Sequence, residues 1–224
     1  MWRVILTAMR VAVVDAIRDS VGTRARRWLL GVTLLAGLVV AVVLTVTLPP
    51  PERTFATVAN PVQSLTSVAV PLLGILPVAE LRRTGNSVVP TVLGAMVVAA
   101  VVGLAGAGFC AAALAFAPST DPWRHAVAIA AGGVPVQVLA VLVGTGLGML
   151  LPSRLVGFLG TIVLPLGLWF VLRGTDAQAW LTPFAAVQNL LSGRMTAVMW
   201  AQWLVVFLVW GVGLNIAGAV RLRR

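Results

Sequence analysis

No charged side chain lies inside any of the six long apolar runs of this 224-residue chain, and lysine is missing altogether. All 16 basic residues are arginines, and they and the six acids stand in the gaps between runs or at their margins. A transporter driven by protons or sodium usually keeps an ionisable group near the bilayer midplane, where such a group is costly. An intramembrane hydrolase needs a nucleophile and base, or metal ligands, facing each other at depth. Neither is offered here. If this protein moves anything, the energy comes from elsewhere.

Other absences narrow the field further. There is no GxxxxGK[ST] phosphate loop, so the chain does not bind ATP in the P-loop manner. No HExxH or cysteine pair supports a metal site, and no GxSxG supports a serine nucleophile. The lone His125 adjoins Trp123 and Arg124 at a run margin, where an interfacial role is expected, and the loop acids Asp121 and Asp176 have no evident partner. The single cysteine, Cys110, cannot form an internal disulfide and reads as a small packing residue. No catalytic, cofactor-binding or metal-ligating residue is therefore assigned, and the chain is not expected to be an enzyme.

What is present is hydrocarbon. Sixty per cent of residues are hydrophobic and the mean hydropathy is +1.03, which excludes an ordinary soluble domain. A span needs roughly 20 apolar residues to cross about 30 Å of hydrocarbon. Runs at about 29–48, 61–79, 87–117, 125–151, 155–172 and 197–220 satisfy this and leave no room for a separate soluble domain. Because the runs are continuous, not alternating, a β-barrel is disfavoured. The fold class expected is an all-α membrane protein, one transmembrane domain over residues 1–224 with six spans. Arginine without lysine, beside abundant Ala, Gly, Val and Pro, suggests a high-GC bacterial genome.

The net charge of +10 reflects topology; nucleic acid is not expected as a partner. Twelve arginines (3, 10, 18, 24, 26, 27, 82, 83, 154, 221, 223 and 224) fall on one side of a six-span arrangement, against Arg53, Arg124, Arg173 and Arg194 on the other. The positive-inside rule then puts both termini in the cytoplasm.

Before the first run, Arg3, Arg10 and Arg18 share one arc of a helix with Thr7 and Asp15, opposite Ile5, Leu6, Met9, Val13 and Ile17. Residues 1–23 are thus expected to form an interfacial helix with its arginines towards anionic headgroups, either a plain anchor or a lateral elbow. After the second run, Glu80, Leu81, Arg82, Arg83 and Thr84 lead to a Gly85-Asn86 turn, read as a short inside loop in which Glu80 pairs one turn on with Arg83 or Thr84. Gln63, Ser64, Thr66 and Ser67 are polar groups for a path or, preferred, for helix–helix hydrogen bonds. Gln137, two residues past Pro135, contacts a substrate or, preferred, seals a kink. Gly144 and Gly148 form a GxxxG for close helix approach. Between the last two runs, Thr182-Pro183 opens a short outer amphipathic helix carrying Phe184, Val187, Leu190 and Leu191, with Gly193 at its C-cap.

TRARRWLLGVTLL entering span one, AELRRTGN after span two and GVGLNIAGAVRLRR at the end resemble a known family over the whole chain. The chain looks like a type-2 ABC exporter permease, the membrane subunit of an ATP-driven exporter whose ATPase is a separate polypeptide. The family's loop after span two often carries an acid, a Thr and a Pro-Arg pair; here Glu80, Thr84 and Pro90 correspond, with Thr91 where the Arg would stand. The resemblance implies a second permease, identical or homologous, and two ATPase copies, with residues 80–86 and the N-terminal helix docking in an ATPase groove. It implies export of amphipathic molecules such as lipids, peptides or drug-like compounds across a bacterial cytoplasmic membrane. The competing expectation is a membrane protein of immunity type that binds a partner without transport.

Overall fold

The structure, a computed structural model, describes residues 14–15, 17–18, 21–84 and 87–223, without the side chains of 82–84. Six helices are long and apolar enough to cross a membrane, the make-up of an all-helical multi-pass membrane protein. They are span one (Arg24–Thr47), span two (Phe55–Thr84), span three (Val88–Ala115), span four (Ala126–Leu150), span five (Arg154–Val171) and span six, which begins at Ala197 and ends at Leu222. No strand occurs among the described residues.

Local chemistry sets the ends. The Thr23 hydroxyl accepts from the Arg26 N–H at 3.3 Å and starts span one, and the run Pro49-Pro50-Pro51, unable to continue a helix, follows its end. Span two starts six residues before the expected 61, because the Thr54 hydroxyl accepts from the Thr57 N–H at 3.3 Å and caps a turn ahead of Pro61. Its far end also differs from expectation. Glu80, Leu81, Arg82, Arg83 and Thr84 are the last residues of the helix, not a loop. Glu, Leu and Arg favour helix, and Leu81, one turn after Val78, is buried with it beside Met149, so the helical stripe continues. Gly85 and Asn86, the expected turn, lie outside the described residues.

Between spans five and six there are two short helices, Ala177–Leu181 and Pro183–Leu191. Thr182 has the extended backbone of an N-cap, but its hydroxyl donates to the Gln178 carbonyl at 2.8 Å and caps nothing. Gly193, at φ 71°, takes the left-handed conformation two residues past the second helix.

Span four is the most enclosed helix and packs against spans two, three, five and six. Lipid tails are as apolar as leucine, so close contact and hydrogen bonds, not exclusion from water, hold such helices together. The GxxxG provides the contact. A Cβ on Gly144 would collide with the Pro71 carbonyl oxygen, and one on Gly148 would lie 3.1 Å from the Ile75 Cα, so span four rests directly on span two. Cys110 is buried in an apolar cluster with Val62, Ala107 and Leu114. Span five is the opposite case: only Gly157 and Pro165 are buried.

Span six contains a seven-residue π-helical stretch, Phe207–Gly213. The wide turn lets the Asn215 amide reach the Gly211 carbonyl at 2.6 Å and the Leu142 carbonyl of span four at 2.8 Å. The Thr145 hydroxyl donates to Asn215 Oδ1 at 2.7 Å, which completes a polar clasp between spans four and six.

Candidate functional site

Antiparallel alternation gathers one end of every span at an arginine-rich end of the bundle. There the buried Arg26, in the first turn of span one, meets the half-exposed Glu80 near the end of span two at 2.5 Å, and also donates to the Leu76 carbonyl at 3.3 Å. The expected partner of Glu80 lay one turn along its own helix; the structure adds one on the neighbouring span. Opposite charges on facing ends of adjacent antiparallel helices were the available signal. Arg221 donates to the Leu150 carbonyl at 2.5 Å, tying the end of span six to the end of span four. Arg3 and Arg10 lie outside the described residues, whereas Arg18 is exposed in a helical stretch. For Arg82, Arg83 and Thr84 only the helical backbone is described.

At mid-bundle, three polar side chains meet in the core. Gln137 of span four donates from Nε2 to the Gln63 carbonyl, Gln63 Oε1 and Thr66 Oγ1 of span two, at 2.9, 2.8 and 2.9 Å. Gln63 in turn donates to the Gly103 carbonyl of span three at 2.9 Å. The Gln137 amide nitrogen is therefore spent on span two and not on the Pro135 kink. Its Oε1 is buried without a partner among the described residues.

A separate face of span two opens on a cleft. Asn60, Ser64, Ser67 and Pro71, spaced four, three and four apart, share one side of the helix. They line a cavity of about 180 Å³ that Thr161 and Pro165 of span five and Gln188 of the short helix Pro183–Leu191 close from the other side. The remaining lining is apolar, from residues such as Val68, Leu139 and Ile162, and no charged side chain contributes. Of the polar groups on span two noted in the sequence, Ser64 and Ser67 face this cleft, and Gln63 and Thr66 make the helix–helix bonds. Asn60, Thr161 and Gln188 went unnoticed in the sequence; the four–three spacing running back from Ser67 points to the first.

The short helix over this cleft is held at its end. The Arg194 Nε donates to His125 Nε2 at 3.2 Å, and His125, at the N-cap of span four, sits in the left-handed region at φ 56°. A second hollow, of about 400 Å³, lies between the ends of spans one and three beside Arg53, whose guanidinium donates to the Leu48 and Pro118 carbonyls. No group of three or more His, Cys, Asp and Glu side chains able to hold a metal ion occurs among the described residues.

These features define a multi-pass helical membrane protein with an uncharged cleft between its spans and a charged tie at one end. Comparison with protein-family models, curated proteins and solved structures finds no match for this chain.

Proposed function

We propose that this chain is the permease subunit of an ATP-driven exporter in a bacterial cytoplasmic membrane. It works with a second permease, identical or homologous, and two copies of a separate ATPase that carries out all hydrolysis. The arginine-rich end faces the cytoplasm, in keeping with twelve arginines against four. The helix Pro183–Leu191 lies in the outer interface; the N-terminal helix expected over residues 1–23 falls mostly outside the described residues. The cargo is amphipathic.

The observation that carries this reading is the absence of any charged lining in the cleft between spans two and five, beside a polar core built only from amides and hydroxyls. A pump coupled to an ion gradient usually keeps an ionisable group at depth. A permease driven from outside needs a neutral path and a place to receive force. The Arg26–Glu80 tie suits the second need, because movement of the segment 80–86 would be passed to the starts of both span one and span three.

Isolation of a tagged chain from its native membrane in mild detergent tests this. An ATP-hydrolysing polypeptide should accompany it. Arg82→Ala combined with Arg83→Ala keeps the Arg26–Glu80 tie, so it should leave chain abundance unchanged and lower the accompanying ATPase at least fivefold; a desolvated contact charge is worth about 2–5 kcal/mol and an exposed one roughly 0–1 kcal/mol. A chain that purifies intact without any ATP-binding partner would count against the permease reading.

A further inference from the structure

The cleft between spans two and five has a hydrogen-bonding character that specifies a class of ligand. Its hydroxyls have spent their protons on the protein. Ser64 donates to Asn60 Oδ1 at 3.3 Å, Ser67 to the Ser64 carbonyl at 2.7 Å and Thr161 to the Phe158 carbonyl at 2.7 Å. Their lone pairs remain as acceptors. The Asn60 amide nitrogen and the whole Gln188 side chain make no hydrogen bond among the described residues, so donors face the same space. A ligand here meets acceptors and donors together, with no formal charge of either sign.

Size and depth limit it further. Asn60 stands five residues and Ser67 twelve residues into span two, about 7 and 18 Å along the helix at about 1.5 Å per residue. The polar stripe thus runs from the end of the bundle opposite the arginine-rich one towards mid-bundle. Some 180 Å³ is less than the roughly 300–1,000 Å³ of a pocket that encloses a drug-sized molecule. It admits a small headgroup or one chain, the rest of the molecule lying outside. The half-exposed Val68 beside the stripe marks an apolar way out between spans two and five. Span five, buried only at Gly157 and Pro165, is a wall with few fixed contacts.

We propose that this cleft binds an uncharged single-chain amphiphile with a hydroxyl- or ester-bearing headgroup, of monoacylglycerol type. The headgroup bonds to Asn60, Ser64, Ser67 and Thr161, and the chain runs out along span five. As the seat of cargo the site rests on the permease reading; as a binding site it does not. A charged headgroup finds no counter-charge in the lining and is rejected.

Photolabelling tests this with the full chain in lipid nanodiscs. The probe is a monoacylglycerol with a diazirine in its acyl chain. Labels should map to residues 60–71, 155–166 and 183–191. Excess unlabelled monoacylglycerol should reduce them at least fivefold, while lysophosphatidylglycerol or an alkyltrimethylammonium of equal chain length should reduce them less than twofold. Ser64→Leu with Ser67→Leu should lower labelling at least fivefold. Thr161→Leu, a half-buried position on span five that cannot greatly disturb packing, should lower it at least threefold. Labels spread evenly over the lipid-facing surface of span one, equal competition by the charged analogues, or unchanged labelling of Thr161→Leu would overturn the proposal. Specific labelling without any ATPase partner would remove the permease reading alone. An ATPase partner without labelling would remove the site alone.

Discussion

Gln137 ties spans two and four by setting the two N–H groups of its amide among three acceptors, while its own oxygen stays buried and unpartnered among the described residues. Interhelical hydrogen bonds in membrane proteins average about 0.6 kcal/mol and reach about 1.7. Leaving a buried polar atom unpaired costs about 1–3 kcal/mol. Gln137→Leu removes its own orphaned oxygen but leaves the buried Gln63 Oε1 without its donor, so its net cost should be about 1–2 kcal/mol. Gln137→Glu keeps the size but brings a carboxylate to the core, where insertion scales charge about 2.5–3.5 kcal/mol for a central acid. Unfolding in mixed micelles should therefore rank wild type above Gln137→Leu and both well above Gln137→Glu. A Leu variant less stable than the Glu variant would mean that the amide bridge, not charge avoidance, governs this position. The sequence exposed Gln137 as an anomaly, a strong polar group in an apolar run, but not its partner. Proximity to Pro135 suggested the local kink, whereas the bond runs to residues more than 70 positions away.

At the scale of elements, the spans were legible and their ends were not. Continuous apolarity fixes a helix through lipid because every backbone group must be satisfied within it. Span ends are set by caps and by contacts between helices. Span two shows both effects: Thr54 extends it at one end, and Leu81 with the Arg26–Glu80 tie extends it through Thr84 at the other. The short helix Pro183–Leu191 was readable from Thr182-Pro183 because proline at the first position marks a start without needing a partner. The π-helical stretch of span six had no local signature, and the Asn215 contact that accompanies it runs to span four. Asn215→Leu removes the clasp with the Leu142 and Gly211 carbonyls and leaves the Thr145 hydroxyl only the Leu142 carbonyl of its own helix as acceptor. It should destabilise the bundle by about 1–2 kcal/mol, within the range for interhelical and buried hydrogen bonds. Unfolding curves measure this, and a variant as stable as wild type would show that the clasp contributes nothing to packing.

At the scale of the molecule, the two ends of the bundle differ in kind. One collects arginines and the Arg26–Glu80 tie; the other carries the short helices, the His125–Arg194 contact and the mouth of the neutral cleft. Composition made that polarity visible in the sequence, because arginine placement records topology. The cleft was only half visible, since its walls come from spans two and five and from a helix more than 100 residues along the chain from Asn60. In the proposed permease the arginine-rich end receives force from a cytoplasmic ATPase. Site-specific crosslinking in native cells tests it most directly, with a photoreactive amino acid replacing Arg83 at one end and Arg173 at the other. The account predicts an adduct with an ATP-binding polypeptide from position 83 and none from position 173. No such adduct from position 83, or an equal one from both, would contradict it.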